Sequence, residues 1–230
     1  EDVPDRTSIA INTNGNDVKI RNCRATDFKY FAVIGGSNNT IAGNHFFQGD
    51  GLPAGVRTPG IVIASNYCST TLSDNYIDNC FIEWTNERDA TPDFTSGFSF
   101  SALSVSDNVF LSGDVAPWFS YLVVKPYGTG HYLNGLSVSG NKFRSVHGSI
   151  GRAERVDTSF SDLDFSRTKN VFYQGNTYHN VSAQPSNPLR VRHEQNANAA
   201  TWTVSPGADL PFGGRARGVD SVVAIGPVSG

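Results

Sequence analysis

Six segments of the chain repeat one pattern of hydrophobic and polar positions. In each segment apolar residues alternate with polar ones, a turn-prone pair ending in Asn follows, and the pattern closes on an apolar or aromatic residue. Leu103 and Val105 are separated by Ser, as are Leu136 and Val138, which is the two-residue period of a strand with one buried face. The segments cover residues 18–23, 40–46, 72–77, 103–110, 136–143 and 171–178. The pattern therefore predicts short strands, and no unit shows the apolar spacing of a helix.

The Asn residues of these segments recur at a period typical of a solenoid. They are Asn22, Asn44, Asn75, Asn108, Asn141 and Asn176, with intervals of 22, 31, 33, 33 and 35 residues. A unit of this length cannot bury its apolar face alone and must stack on its neighbours. In such a stack, equivalent Asn side chains can hydrogen-bond to one another along the axis. We therefore expect an all-β parallel solenoid of about six coils with an Asn ladder.

The unequal intervals predict loop insertions on one face of the solenoid. The shortest interval, 22 residues, suits a bare coil of three short strands, and the longer intervals leave room for loops. We expect the loops at 48–60 and 85–97 either to shape a groove or to meet another subunit. Residues 1–204 are assigned to the solenoid domain, with 1–6 as an entry arm. Residues 205–230 are assigned to a C-terminal cap or oligomerisation segment.

The repeats resemble the right-handed parallel β-helix of the pectate-lyase-like superfamily, over roughly residues 7–204. That superfamily includes polysaccharide lyases, polygalacturonase-like and related glycoside hydrolases, uronan epimerases and phage tailspikes. The resemblance implies a right-handed solenoid and says little about function, because one scaffold carries many chemistries. The Asn-Thr-Asp, Asp-Asp and Gly-His-Gly motifs of polygalacturonase-like enzymes are absent, and His147-Gly148 lacks the leading Gly. The Asp-Pro-His-Glu motif of alginate epimerases is absent as well.

Composition narrows the classes of partner. The net charge is −3, the pI is near 5.9 and 17% of the residues are charged, which gives no electrostatic argument for nucleic acid. No apolar run approaches the roughly 20 residues of a membrane-spanning helix, so we expect no membrane insertion. Cys23, Cys68 and Cys80 fit no zinc spacing and are expected to be thiols, mostly in the core. Asp162 and Asp164 are too few to specify a calcium site, so we expect neither metal nor cofactor.

Candidate binding residues follow from their distance to the preceding Asn, because residues at similar offsets should lie side by side on adjacent coils. Aromatic rings stack on sugars and Arg binds carboxylate or sulfate groups, so we expect a polysaccharide site. The candidates are Trp84, Trp118, Tyr127, His131, Arg152 and Arg155. The alternative is that Trp84 and Trp118 fill the core or a subunit interface.

Candidate catalytic residues are Glu83 and Asp114, which lie eight and six residues after their Asn on successive coils, with Asp89 as a third acid. Glycoside hydrolysis requires two carboxylates on either side of the bond. The alternative for each is a solvated surface acid. A lyase would instead need Lys125, Arg152 or Arg155 as a base or to neutralise a uronate.

Three functions follow from these patterns. The first is a β-helical spike or fibre of a phage or phage-like particle that recognises a cell-surface polysaccharide, outside the cell or on the virion, as a homo-oligomer for which the resemblance suggests a trimer. The second is a secreted polysaccharide hydrolase or lyase that uses Glu83 and Asp114. The third is a structural or adhesive repeat protein without a glycan site. The chain has no Met, so we also expect a processed or partial protein.

Overall fold

A computed structural model of the chain describes residues 8–49, 54–89, 99–223 and 225. The arm 1–6, parts of the loops 48–60 and 85–97, and residues 226–230 of the C-terminal segment lie outside the described residues. The described residues form three six-stranded parallel sheets, a two-stranded sheet and two short 3-10 helices. The chain passes through sheets A, B and C in turn, which makes one coil of a right-handed parallel β-helix.

Each sheet takes one strand from each of the six successive sequence repeats. Sheet A contains β1 (Ile9–Thr13), β4 (Tyr30–Ile34), β7 (Pro59–Ile63), β10 (Phe81–Thr85), β13 (Leu122–Lys125) and β17 (Glu154–Val156). Sheet B contains β2 (Lys19–Arg21), β5 (Thr40–Ala42), β8 (Tyr67–Ser73), β11 (Ser99–Ser106), β14 (Tyr132–Ser139) and β18 (Lys169–Gln174). Sheet C contains β3 (Arg24–Thr26), β6 (His45–Phe47), β9 (Tyr76–Asp78), β12 (Val109–Asp114), β15 (Lys142–His147) and β19 (Thr177–His179). The small sheet pairs β16 (Ile150–Arg152) with β20 (Val181–Ala183), and the 3-10 helices are η1 (Ala54–Val56) and η2 (Pro211–Gly213).

The predicted fold class is confirmed, but the predicted number of coils is not. The solenoid comprises about four turns rather than six. Six strands stack in each sheet, and only the four inner ones have a neighbour on both sides. The first and last coils each leave one edge unpaired within these sheets, so the regular interior is shorter than the count of repeats suggests.

The core runs along the inside of the coils. In every sheet most inward positions are apolar, with buried polar exceptions such as Ser112, Ser145 and Glu154, and equivalent aromatic side chains stack from coil to coil. Phe110 lies 4.9 Å from Phe143, which lies 5.5 Å from Tyr178, between ring centroids. Cys68 and Cys80 are buried thiols, as expected, while Cys23 is half-buried.

The Asn ladder is present, but its first member was misassigned. Asn44, Asn75, Asn108 and Asn141 are buried, and the amide Nδ2 of each donates to Oδ1 of the equivalent Asn on the following coil, the last of these being Asn176. In the first coil this position belongs to Cys23, whose backbone N–H donates to Asn44 Oδ1 at 2.9 Å. The predicted ladder residue Asn22 lies one position earlier.

The position before the ladder is left-handed in every coil, which explains its composition. Asn22, Gly43, Asp74, Asp107, Gly140 and Gly175 occupy it with φ between 55° and 67°. Gly, Asn and Asp are the residues that adopt this region at lowest cost. The sequence pair Gly-Asn or Asp-Asn is therefore a left-handed turn residue followed by a buried ladder amide.

The described part of the C-terminal segment lies against the last coils. Arg152 donates to the carbonyl oxygens of Ala208 and Leu210, and the Phe212 backbone N–H donates to Glu154 Oε1 at 2.9 Å. Further along the chain, Val219 is 78% exposed. In the described residues no helix has the length and apolarity that a bilayer span requires.

Candidate functional site

The outer face of sheet A changes from apolar to charged along the solenoid. Strand alternation turns Ile82 and Trp84 of β10 into the core and Glu83 outward. The row in register with Glu83 contains, in chain order, Asn12, Val33, Val62, Glu83, Val123 and Arg155, of which the three Val side chains are buried. Val33 and Val62 form an apolar cluster separate from the main core. The later coils place charges beside Glu83.

Glu83 is a half-buried carboxylate within a mixed ionic group. Burial raises its pKa above the ordinary value, and the carboxylates of Glu87 and Asp157 raise it further. The positive charges of Lys125 and Arg155 lower the pKa, but by less than burial raises it. Glu83 therefore holds its proton to a higher pH than an exposed glutamate does.

Asp157 has the opposite electrostatic character. Its own partial burial would raise its pKa, but hydrogen bonds from Ser159 and the charges of Arg155 and Lys125 outweigh that and hold the pKa below its usual range. Arg155 approaches Asp157 Oδ2 at 3.5 Å. Two carboxyl groups on one face thus have pKa values displaced in opposite directions.

Tyr127 is held beside these charges by a fixed loop. The buried Asn86 side chain accepts a hydrogen bond from the Tyr127 backbone N–H at 2.8 Å and donates to its carbonyl oxygen at 3.0 Å. The Tyr127 and Phe160 rings stack with centroids 4.0 Å apart. Lys125 Nζ lies 5.3 Å from the Phe160 centroid and 5.8 Å from that of Tyr127. Because Asn86 binds both the backbone N–H and the carbonyl oxygen of Tyr127, it fixes the backbone that positions the aromatic pair.

Trp118 completes the surface from the neighbouring turn. It is 39% exposed, and the Arg155 guanidinium carbon lies 5.8 Å from its ring centroid. We call the whole group the sheet A cluster; it consists of Glu83, Glu87, Trp118, Lys125, Tyr127, Arg155, Asp157 and Phe160. Exposed rings beside both signs of charge can stack on sugar rings and bind hydroxyl, carboxylate or sulfate groups. Four predicted site residues, Glu83, Trp118, Tyr127 and Arg155, come together here.

Trp84 and His131 were predicted to bind ligand, but both side chains are buried. Trp84 is fully enclosed, and its Nε1–H donates to the Ser65 carbonyl oxygen at 2.8 Å. His131 is also fully enclosed, against the Phe100 ring and the Tyr127 carbonyl oxygen. Neither ring can contact a ligand on the surface, and His131 instead supports the loop that carries Tyr127.

Of the remaining predicted residues, Asp114 and Arg152 lie apart from the sheet A cluster, whereas Asp89 lies at its edge, on the turn that carries Glu87. Asp114 is an exposed residue at the end of β12 in sheet C, in register with His147, and it is not among the charges that shift the Glu83 pKa. Burial raises the pKa of Asp89, whose electrostatic partner is His131. Arg152 forms an ion pair with the Glu154 carboxylate and donates a hydrogen bond to the Ala208 carbonyl oxygen of the C-terminal segment. Glu83 and Asp114 therefore lie on different sheets, and Arg152 has a structural role.

Two members of the sheet A cluster, Asp157 and Phe160, were missed because offsets from the Asn ladder do not measure register in sheet A. Glu83 follows Asn75 by eight residues, whereas its register partners Val123 and Arg155 follow Asn108 and Asn141 by 15 and 14. The turn between sheets C and A varies in length from coil to coil. The signal that could have located these residues is the alignment of the apolar strands themselves.

The described residues contain no group of three or more His, Cys, Asp or Glu side chains placed to hold a metal ion. Comparisons with protein-family models, with curated proteins and with solved structures found no match. The class that the structure defines is accordingly a right-handed parallel β-helix that carries a charged and aromatic outer face on sheet A.

Proposed function

We propose that this chain is the β-helical domain of a spike or fibre, of a phage or phage-like particle, that recognises a cell-surface polysaccharide through the sheet A cluster. The observation that carries the proposal is the gathering of two exposed aromatic surfaces, Trp118 and the Tyr127–Phe160 pair, around Lys125 and Arg155 on one face. The proposal includes an extracellular or virion-surface location and a homo-oligomer, for which a trimer is the expected state.

The geometry favours a glycan over other partners of this face. Phe160 is 59% exposed although it is stacked on Tyr127, so one ring face is available to a ligand. A sugar ring offers C–H groups to an aromatic face and hydroxyl groups to flanking charges. Lys125, Arg155, Glu83 and Glu87 supply both donors and acceptors around the rings. A purely apolar partner would leave these charges without solvent, which is costly.

The test is a titration of the purified chain with a panel of acidic and neutral bacterial polysaccharides. We compare Phe160→Ala with Phe172→Ala, because Phe172 is a similarly exposed ring (50%) on sheet B. Loss of one stacking ring is expected to weaken binding by about tenfold. Loss with Phe160→Ala and unchanged binding with Phe172→Ala supports the proposal. Equal affinity of both variants and the parent chain, or no binding to any member of the panel, rejects it.

A second candidate function is hydrolysis of that polysaccharide. It is favoured by the opposite pKa displacements of Glu83 and Asp157, because a general acid needs a raised pKa while its partner carboxylate stays ionised. Asp157 here takes the place that sequence reasoning gave to Asp114. Lys125 and Arg155 lie beside both carboxylates and would keep Asp157 ionised.

Hydrolysis is tested by measuring new reducing ends after incubation with the same panel, together with absorbance from unsaturated uronates. Products that vanish in both Glu83→Gln and Asp157→Asn, while Asp114→Asn keeps full activity, assign the reaction to this pair. Unsaturated products would point to a lyase instead. If the chain binds a polysaccharide and no product forms, the hydrolase hypothesis is rejected and the recognition hypothesis remains.

A further inference from the structure

Sheet C presents a second outer face, distinct from the sheet A cluster. Its outward side chains form two rows, and each row steps from coil to coil at about 4.8 Å. The first row contains Arg24, His45, Tyr76, Val109, Lys142 and Thr177. The second row contains Thr26, Phe47, Asp78, Leu111, Arg144 and His179. These residues are exposed or half-buried, whereas the side chains between the rows, such as Phe110 and Phe143, fill the core.

The charges on this face are mainly positive, in contrast to the whole chain. Arg24, Lys142 and Arg144 are exposed, and the one carboxylate in the two rows is Asp78. The net charge of the chain is −3. The three basic side chains form no ion pair with any residue of the described chain. Asp114 stands at the margin of the face, at the end of β12 and next to His147.

Between the cations the face offers rings and aliphatic groups. The His45 and Tyr76 rings meet edge to face with centroids 4.9 Å apart, and Tyr76 is 36% exposed. Val109 and Leu111 continue the apolar strip on the next coil. Arg24 and Lys142 are four coil steps apart, or about 19 Å at the strand spacing of a sheet.

We propose that the outer face of sheet C binds an acidic polysaccharide that lies along the solenoid axis. Cations at both ends of the face complement carboxylate or sulfate groups, and the rings and aliphatic groups between them contact the sugar rings. An extended polymer fits the face because it is long, flat and periodic. The face does not share residues with the sheet A cluster, so this proposal stands or fails independently of the function proposed above.

The test measures binding of alginate, which carries carboxylates, and dextran sulfate, which carries sulfates, with uncharged dextran as the reference. The variant is Lys142→Glu/Arg144→Glu. The matched control is Arg21→Glu/Lys169→Glu, which makes the same charge change at exposed positions of sheet B. All four positions are on the surface, and thermal melting of each variant verifies the fold.

The expected result is binding of at least one acidic polymer, weakened about tenfold or more by the sheet C variant and by added salt, with the control close to the parent chain. Binding of alginate alone assigns carboxylate recognition, and binding of dextran sulfate alone assigns sulfate recognition. The proposal is overturned by equal losses in both variants, by binding of dextran as tight as that of the acidic polymers, or by no binding at all. Tighter binding of a single-stranded DNA oligonucleotide than of either polymer also overturns it.

Discussion

Replacing Asn108 with alanine removes the centre of the Asn ladder. The Asn108 side chain forms four hydrogen bonds: Oδ1 accepts from the Asn75 backbone N–H at 3.0 Å and from Asn75 Nδ2 at 2.9 Å, while Nδ2 donates to Leu72 O at 3.1 Å and to Asn141 Oδ1 at 3.0 Å. The side chain is fully buried, so water cannot replace these contacts without opening the turn.

The expected loss of stability follows from these contacts. A hydrogen bond contributes about 1 kcal/mol net, so the substitution should cost about 4 kcal/mol. That is a large share of the 5 to 15 kcal/mol typical of a domain. Asn176 is the comparison, because it is half-buried at the end of the ladder and bonds to Asn141 and Val138. Asn176→Ala removes three hydrogen bonds, two accepted from the Asn141 backbone N–H and Nδ2 and one donated to the Val138 carbonyl oxygen. It should cost only about 1 kcal/mol, because water can enter the half-buried end of the ladder and replace them.

The assay is urea unfolding followed by circular dichroism and Trp fluorescence, with both variants and the parent chain measured together. We expect a clearly larger shift of the unfolding midpoint for Asn108→Ala than for Asn176→Ala. Equal shifts, or a cost for Asn108→Ala below about 1 kcal/mol, would refute the view that the ladder holds the coils together.

Three further predictions concern the ends and the outer face of the solenoid. Cys23→Asn should extend the ladder by one amide that donates to Asn44 Oδ1, and urea unfolding should show a gain of about 1 kcal/mol. Arg152→Ala should cost about 3 to 5 kcal/mol, because it leaves the fully buried Glu154 without its counterion, and limited proteolysis should then cut the C-terminal segment earlier. Glu83→Gln should change the pH dependence of the melting temperature. Since the folded pKa of Glu83 is raised, its protonation stabilises the folded parent chain at low pH, and the parent loses this contribution relative to the variant as pH rises from about 4.5 through the folded pKa.

The Arg152 prediction has a matched control, and each of the three predictions has an outcome that would contradict it. Arg192→Ala breaks an ion pair whose side chains are 76% and 68% exposed, so it should cost less than about 1 kcal/mol. A similar cost for the Arg152 and Arg192 variants would contradict the structural role of Arg152. A destabilised Cys23→Asn variant would show that the first coil does not continue the ladder. A parent chain that gains stability relative to Glu83→Gln as the pH rises would contradict the sign of the Glu83 pKa shift.

The repeat pattern was sufficient to predict the fold because it encodes local physical requirements. A left-handed turn residue must be Gly, Asn or Asp, and the buried position after it must satisfy hydrogen bonds on both sides, which Asn does. In the first coil Cys23 occupies the ladder position, so the sequence pattern placed the ladder one residue too early, at Asn22. The Asn at position 22 satisfies the turn requirement, and sequence alone does not separate that role from the ladder.

The site was predicted less completely than the fold, for two geometric reasons. Glu83 and Trp84 are neighbours in a strand, so alternation must place them on opposite sides of sheet A, and only Glu83 can reach a surface ligand. The turns from sheet C to sheet A also vary in length, so that Asp157, rather than Asp114, shares the outer face with Glu83. The proposed glycan site depends on these turn lengths, which the Asn ladder does not reveal.

Hydrogen–deuterium exchange tests most directly whether the sheet A cluster is the glycan site. The chain would be measured alone and with the polysaccharide of the panel that binds it most tightly. We expect slower exchange in residues 125–131 and 155–161, which carry Tyr127 and Phe160, and in the strand around Glu83. Slower exchange confined to other faces of the solenoid, with these three segments unchanged, would contradict it.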